Sequence, residues 1–149
     1  MKIAITGVTG FVGQNLARYL SDIDILGVSR EAKGLNISYP ELSLNIFNKQ
    51  KAFIHLAGKA HDLKKTSDDK EYFEVNTELT KRLFDQFLKS DCETFIYMSS
   101  VKAAADQADG ILTENVIPNP ITVYGKSKLA AEEYILSRKN LKNKRVYIL

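Results

Sequence analysis

Tyr124 and Lys128 stand four residues apart in Tyr124-Gly125-Lys126-Ser127-Lys128. On a helix, positions i and i+4 share one face about one turn apart. An ammonium at that distance favours a phenolate, so it lowers a tyrosine pKa from its reference of about 10. A tyrosine tuned in this way serves as general acid or base near neutral pH. The same spacing also arises from a core aromatic and a solvated lysine, and taken alone that plainer reading wins. Two other stretches change the balance. Ser99 and Ser100 close the apolar run Thr94-Phe95-Ile96-Tyr97-Met98. A hydroxyl beyond the carboxyl end of a buried strand can bond a substrate oxygen, and otherwise it forms a turn. Upstream, Thr6-Gly7-Val8-Thr9-Gly10-Phe11-Val12-Gly13 spaces its glycines as G-x-x-G-x-x-G. In such a turn the first glycine permits the tight bend and the second lets backbone approach a pyrophosphate. The third lets the helix pack closely on the strand. The anion then lies over the N–H groups of a helix N-terminus. A glycine triplet alone is a weak signal; this one follows a strand and opens a helix.

The elements that must hold these residues are written in the apolar pattern. Ile3-Ala4-Ile5-Thr6 reads as a short buried strand, and Phe11 to Leu20 as a helix. That helix would turn Phe11, Val12, Leu16, Ala17, Tyr19 and Leu20 to a sheet. Further strands are expected at Ile23 to Ser29, Ala52 to Ala57, Thr94 to Ser99 and Arg145 to Leu149. A wide apolar face at 3.6 spacing runs from Tyr72 to Leu88, and a second long helix from about Thr122 to Arg138, after Pro118-Asn119-Pro120. Continuous apolar strands alternating with helices predict a doubly wound α/β fold with a parallel sheet covered on both faces. Ala103 to Pro120, with Asp106, Asp109, Gly110 and Glu114, reads as a polar loop, long enough to have a function. His55 falls at a strand end and His61 in a loop, and neither has a partner at metal-ligand spacing.

Composition narrows the class. With 149 residues, 44% of them hydrophobic, the chain can bury one core. A net charge of +3 with no basic stripe excludes a nucleic-acid binder. The one cysteine, Cys92, excludes an intramolecular disulfide and fits a reducing cytoplasm. No apolar run approaches the roughly 20 residues of a membrane helix, and Met1 to Ile5 is too short for a signal-peptide core.

Taken together, Thr6 to Gly13, His55-Leu56-Ala57-Gly58, Val75-Asn76-Thr77, Met98-Ser99-Ser100 and Tyr124 to Lys128 resemble the extended short-chain dehydrogenase/reductases. Within them the resemblance is to the NAD-dependent epimerase/dehydratase group, which acts on nucleotide sugars. It implies a Rossmann-like fold with NAD or NADP as cofactor. Gly7, Thr9, Gly10, Phe11, Val12 and Gly13 would form the dinucleotide cradle, and Leu56, Ala57 and Gly58 would lie along the cofactor. Asn76 would sit in the helix supporting the site. Ser100 would hold substrate, Tyr124 would be the acid/base, and Lys128 would hold the nicotinamide ribose. Ser100 is followed by Val101-Lys102, not by the Asp-Glu pair of the 4,6-dehydratases. That argues against a dehydratase, and Ser99-Ser100-Val101-Lys102 together with His55-Leu56-Ala57-Gly58-Lys59-Ala60-His61 resembles the 4-epimerases and 4-keto-reductases of UDP-N-acetyl sugars in bacterial surface-polysaccharide synthesis. The family pairs two of its helices with a partner's copies, which implies a homodimer.

Three departures set expectations. Ser29-Arg30 replaces the acidic residue expected at the end of the second strand, so NADP is slightly favoured over NAD, unless Arg30 is merely solvated. Asn45 would replace the adenine-binding aspartate if Leu44-Asn45-Ile46 is the third strand. Phe47 to Ala52 would then be too short for a parallel crossover, so either that strand is not formed as in the family or a segment is skipped, and comparison with the family suggests the second because a helix is missing there. The stretch is therefore expected to be a dinucleotide-binding domain, residues 1–149, truncated before a small substrate domain and inactive alone. The competing readings are a non-catalytic dinucleotide-binding sensor or scaffold and a general carbonyl reductase.

Overall fold

Short apolar strands align their side chains in rows when paired in parallel. The computed structural model describes residues 1–31, 34, 36–60, 68–107, 110–138, 141 and 143–149. His61 and Asp109 lie outside the described residues. Six strands, β1 (Lys2–Thr6), β2 (Asp24–Ser29), β3 (Ile37–Ser38), β4 (Ala52–His55), β5 (Thr94–Tyr97) and β6 (Arg145–Ile148), form one parallel sheet. Their order is β3-β2-β1-β4-β5-β6, the doubly wound order whose switch point lies between β1 and β4. The register sets Ile5 beside Ile54 and Ile54 beside Ile96. Ile3, Ile5 and Ile54 form a core cluster against which Leu16 of helix α1 (Phe11–Tyr19) and Leu20, its C-cap, pack. The alternate row is aromatic. Phe47 stacks on Phe53 at 4.5 Å, Phe53 on Phe95 at 5.7 Å, and Phe84 and Phe87 meet Phe95 at 5.1 and 5.2 Å. All five are fully buried, each contributing roughly 1.5–3 kcal/mol.

The third strand differs from expectation. It is Ile37–Ser38, paired to Val28 and Ser29. Pro40 ends it in a 3-10 turn (Tyr39–Glu41), where the Glu41 carboxylate accepts the Ser38 amide at 2.6 Å. Leu44 to Asn48 is a one-turn helix, α2, because Phe47 must reach Phe53. Asn45 is exposed on that helix, not placed at a strand end. The crossover to β4 is therefore residues 39–51, about the dozen that a parallel connection needs, and the apparent shortage of chain disappears.

Helix α1 departs in part. Phe11 is 86% exposed and Tyr19 85% exposed, with Val12 exposed too. The long helix has three parts: α3 (Asp69–Tyr72), a π-helical stretch (Phe73–Glu78) and α4 (Leu79–Lys89). Its broad apolar face is taken up within the chain, with Leu79, Leu83, Phe84 and Phe87 buried and Tyr72, Phe73, Val75 and Leu88 half-buried. A short helix, α5 (Val101–Ala104), takes up the first two residues of the expected polar loop, and α6 spans Val123–Ser137.

The chain divides into two compact units. The sheet unit (1–57, 82–98, 140–149) holds all six strands with α1, α2 and most of α4. The helical unit (58–81, 99–139) holds α3, the π stretch, α5 and α6.

Candidate functional site

In the sheet unit, the turn after β1 is shaped by contacts that only glycine allows. Gly7 has φ +70°, and a Cβ there would lie 2.8 Å from the Ala57 amide nitrogen. A Cβ on Gly13 would lie 2.3 Å from the Gly7 carbonyl oxygen. The Thr6 side chain ties this turn to the end of β4. Its Oγ1 accepts the Ala57 N–H at 3.2 Å and lies 2.6 Å from His55 Nδ1, while Leu56 N–H donates to the Thr6 carbonyl at 3.2 Å. Thr6 and His55 are completely buried. The N-cap of α1 is Gly10, and no side chain caps the helix. Thr9, Gly10, Phe11 and Val12 are exposed around it. A glycine-walled turn beneath an uncapped helix N-terminus fits the diphosphate of a dinucleotide.

Ser29 ends β2, its hydroxyl donating to the Glu31 carbonyl at 2.5 Å. Arg30 follows, exposed. Its charge acts on Tyr39, whose phenol pKa is nonetheless raised because burial outweighs the Thr6 hydroxyl and Arg30. Sequence inspection missed Tyr39, since nothing marked it apart from its place after a two-residue strand.

The helical unit carries the other residues. Thr122 caps α6, accepting the Gly125 amide at 3.1 Å. Asp106 in turn accepts from the Ile121 and Thr122 amides at 2.6 and 2.9 Å and from the Thr122 hydroxyl at 2.7 Å. Those bonds hold its carboxyl below the usual range. A Cβ on Gly125 would lie 2.3 Å from the Lys102 carbonyl oxygen. Gly125 therefore brings α5 into backbone contact with the first turn of α6, next to Tyr124. Ser100 is the N-cap of α5, its Oγ accepting the Lys102 amide at 3.3 Å. The hydroxyl proton is thereby left to point elsewhere. Tyr124 is half-buried.

Lys128, one turn on, is 4% exposed. Burial pushes its pKa down to about 8, and the Glu132 carboxylate opposes that fall. A Cβ on Gly58 would lie 3.5 Å from Lys128 Nζ and 3.1 Å from Asn76 Oδ1. Asn76 is fully buried and spends its amide inside the protein. Nδ2 donates to the Lys59 carbonyl (3.0 Å) and Ser127 Oγ (2.9 Å), and Oδ1 accepts Lys59 N–H at 2.7 Å. Its neighbour Thr77 donates to the Ser127 carbonyl at 2.8 Å, and Ser127 Oγ donates to the Tyr124 carbonyl at 2.8 Å. Asn76 and Thr77 both belong to the π stretch, a departure common near functional sites. They lock the middle of α6, so Asn76 is a clamp. Among the described residues no cluster of His, Cys, Asp and Glu could hold a metal ion, and no helix is long and apolar enough to cross a membrane.

Residues 3–149 match the model of the NAD dependent epimerase/dehydratase family. The chain belongs to that family. Relatives of this epimerase/dehydratase chain include a GDP-6-deoxy-D-mannose reductase of Pseudomonas aeruginosa, 32% identical over 91% of the chain and 46% of the relative. A UDP-glucose 4-epimerase of Vibrio cholerae is 30% identical over 91% of the chain and 46% of the relative. The fold matches MoeE5, solved in complex with UDP-glucose and NAD, with a TM-score of 0.84 at 24% identity over 99% of the chain and 53% of MoeE5. The chain thus spans about half the length of these relatives. In this epimerase/dehydratase chain the glycine turn joins β1 to α1, and Tyr124 lies in the first turn of α6.

Proposed function

We propose that residues 1–149 carry the dinucleotide-binding part of a cytoplasmic nucleotide-sugar 4-epimerase or 4-keto-reductase, using NADP or NAD. The observation that carries this reading is the burial of Lys128 one turn from Tyr124. Desolvating an ammonium is costly, and such perturbed groups gather at functional sites. A lysine serving only solubility would stay in water.

In this reading the sheet unit's turn (Gly7, Thr9, Gly10, Phe11, Val12 and Gly13) holds the diphosphate. Leu56 and Ala57 lie along the cofactor, and Ser29 and Arg30 meet the adenosine ribose. In the helical unit, Tyr124 exchanges a proton with the sugar hydroxyl at the reacting carbon. Lys128 donates to the nicotinamide ribose, in the space that Gly58 leaves beside it. Ser100, already accepting from Lys102, donates its proton to a sugar oxygen. When bound, the nicotinamide supplies the hydride donor and acceptor. The relatives' names, a GDP-sugar reductase and a UDP-sugar epimerase, support a nucleotide-sugar substrate. Val101-Lys102 after Ser100 supports epimerase or reductase over dehydratase, and the resemblance of residues 99–102 and 55–61 to surface-polysaccharide enzymes supports that setting.

The test is Tyr124→Phe in the full-length protein, assayed with UDP-sugars and either dinucleotide. Loss of general acid–base catalysis should lower turnover about 10²–10⁴-fold, with dinucleotide affinity little changed. Undiminished hydride transfer by the variant overturns the assignment.

A further inference from the structure

One turn beyond Lys128 on α6 stands Glu132, half-buried and given no role by the motifs. Its carboxylate accepts the Ser99 hydroxyl, so the chain just ahead of the α5 cap is bonded to α6 at this point. Tyr124, Lys128 and Glu132 recur every fourth residue and share one helix face. Among the described residues, most other charged groups of the elements packed around α6 pair with one another, and Asp69 of α3 is exposed. Lys59 pairs with Glu71 of α3 at 2.8 Å, and Lys70 of α3 with Glu74 of the π stretch at 3.7 Å. Glu78 pairs with Lys81 at 2.8 Å, and Lys102 of α5 with Asp106 at 3.8 Å. On α6 itself, Lys126 and Glu133 are exposed. One carboxylate that acts on Lys128 is Glu132.

We infer that Glu132 is a positioning residue of this site: tethered by Ser99, it is the countercharge that keeps Lys128 an ammonium beside Gly58 and Asn76. The inference rests on the roles proposed for Tyr124 and Lys128. Burial alone drives Lys128 toward its neutral form, which has fewer protons to donate to a ribose and no charge. An opposite charge within about 4–6 Å moves a pKa by 1–3 units toward the charged form. Removing Glu132 takes away a charge that opposes burial, so Lys128 loses its proton at lower pH, toward the neutral range.

The test is an NMR pH titration of the full-length protein with 13Cε-labelled lysine, the Lys128 signal identified by its loss in Lys128→Met. In Glu132→Gln the midpoint of Lys128 should fall by about one unit or more. Glu132→Asp should fall in between, and it decides the matter should the glutamine variant not fold. Binding of NADH and NADPH by Glu132→Gln should then be weakened up to about tenfold near pH 8 and match the parent near pH 6. A residue that only supported packing would weaken binding equally at both. An unchanged Lys128 midpoint in a folded variant, or a loss of affinity independent of pH, overturns the inference. Its failure is separable from that of the proposed chemistry. Undiminished turnover by Tyr124→Phe, with the midpoint still moved by Glu132→Gln, would overturn the chemistry and leave the countercharge standing.

Discussion

Lys128 shows most directly how a functional side chain costs its fold. An unfolded lysine titrates at 10.5, and Lys128 at about 8. Between those values the unfolded chain binds more protons, so Lys128 makes stability rise with pH across that window. Below about pH 8 the penalty is present in full, about 3 kcal/mol by linkage. Lys128→Met should therefore stabilise the protein near pH 7 by up to about that amount and flatten the rise toward pH 10. Urea denaturation at the two pH values checks this, and equal stability of parent and variant near pH 7 would refute it. Arg30 invites a separate test. It is exposed just past β2 and replaces an acidic residue that would pair with ribose hydroxyls. Arg30→Ala should weaken NADPH binding more than NADH binding by calorimetry. Equal or tighter NADH binding by the parent chain would count against an NADP preference.

At the scale of elements, the turn between β1 and α1 is the least tolerant part of the sheet unit. Its glycines touch backbone, which cannot rotate away as a side chain can. Gly13→Ala places a methyl 2.3 Å from the Gly7 carbonyl oxygen, and Gly7 is itself held at φ +70° against Ala57. The expected cost is about 1–3 kcal/mol of stability, together with loss of dinucleotide binding. Gly10→Ala, whose Cβ would lie 3.2 Å from the same oxygen, should cost less. Thermal melts and NADH fluorescence titrations read both effects, and a Gly13→Ala protein that melts and binds like the parent would contradict this account. In the helical unit, the equivalent precision comes from polar contacts: Asp106 on Thr122, Thr122 on Gly125, and Asn76 and Thr77 on Ser127.

For the whole molecule, the proposal is a homodimer paired through the long helix and α6. The apolar side chains of the long helix are largely satisfied within one chain, so the pairing would draw on the half-buried Tyr72, Phe73, Val75 and Leu88 and on Leu136, 70% exposed on α6. Such an interface would be isologous. Light scattering of the full-length protein at micromolar concentration should give a dimer, and monomer alone would exclude it.

Five of the six strands are legible in the sequence because each is built on a short apolar run, and their alternation with helices is enough to predict a parallel sheet. The glycine turn was legible for a similar reason, since its constraint is local: three positions that must lack a Cβ. The spacing of Tyr124 and Lys128 puts them one turn apart on a helix, and α6 spans both. The rest depended on contacts between residues distant in sequence. Ile37–Ser38 is too short to show a pattern and is a strand only because Val28 and Ser29 lie beside it. Leu44-Asn45-Ile46 reads as a candidate third strand, whereas Leu44 to Asn48 is a helix whose Phe47 stacks on Phe53, which moves Asn45 away from any strand end. The apolar face of α1 was over-read at Phe11 and Val12, because periodicity records a helix without recording where the sheet beside it stops. Asn76 was placed on the right helix, but its amide is used up by Lys59 and Ser127, and the π stretch that presents it leaves no local mark. Glu132 was visible as one more charged residue, and acquires a role only because Ser99, 33 residues earlier, is folded against it. Periodicity and glycine spacing act between near neighbours along the chain, whereas burial and countercharge are set by whatever the finished fold brings alongside.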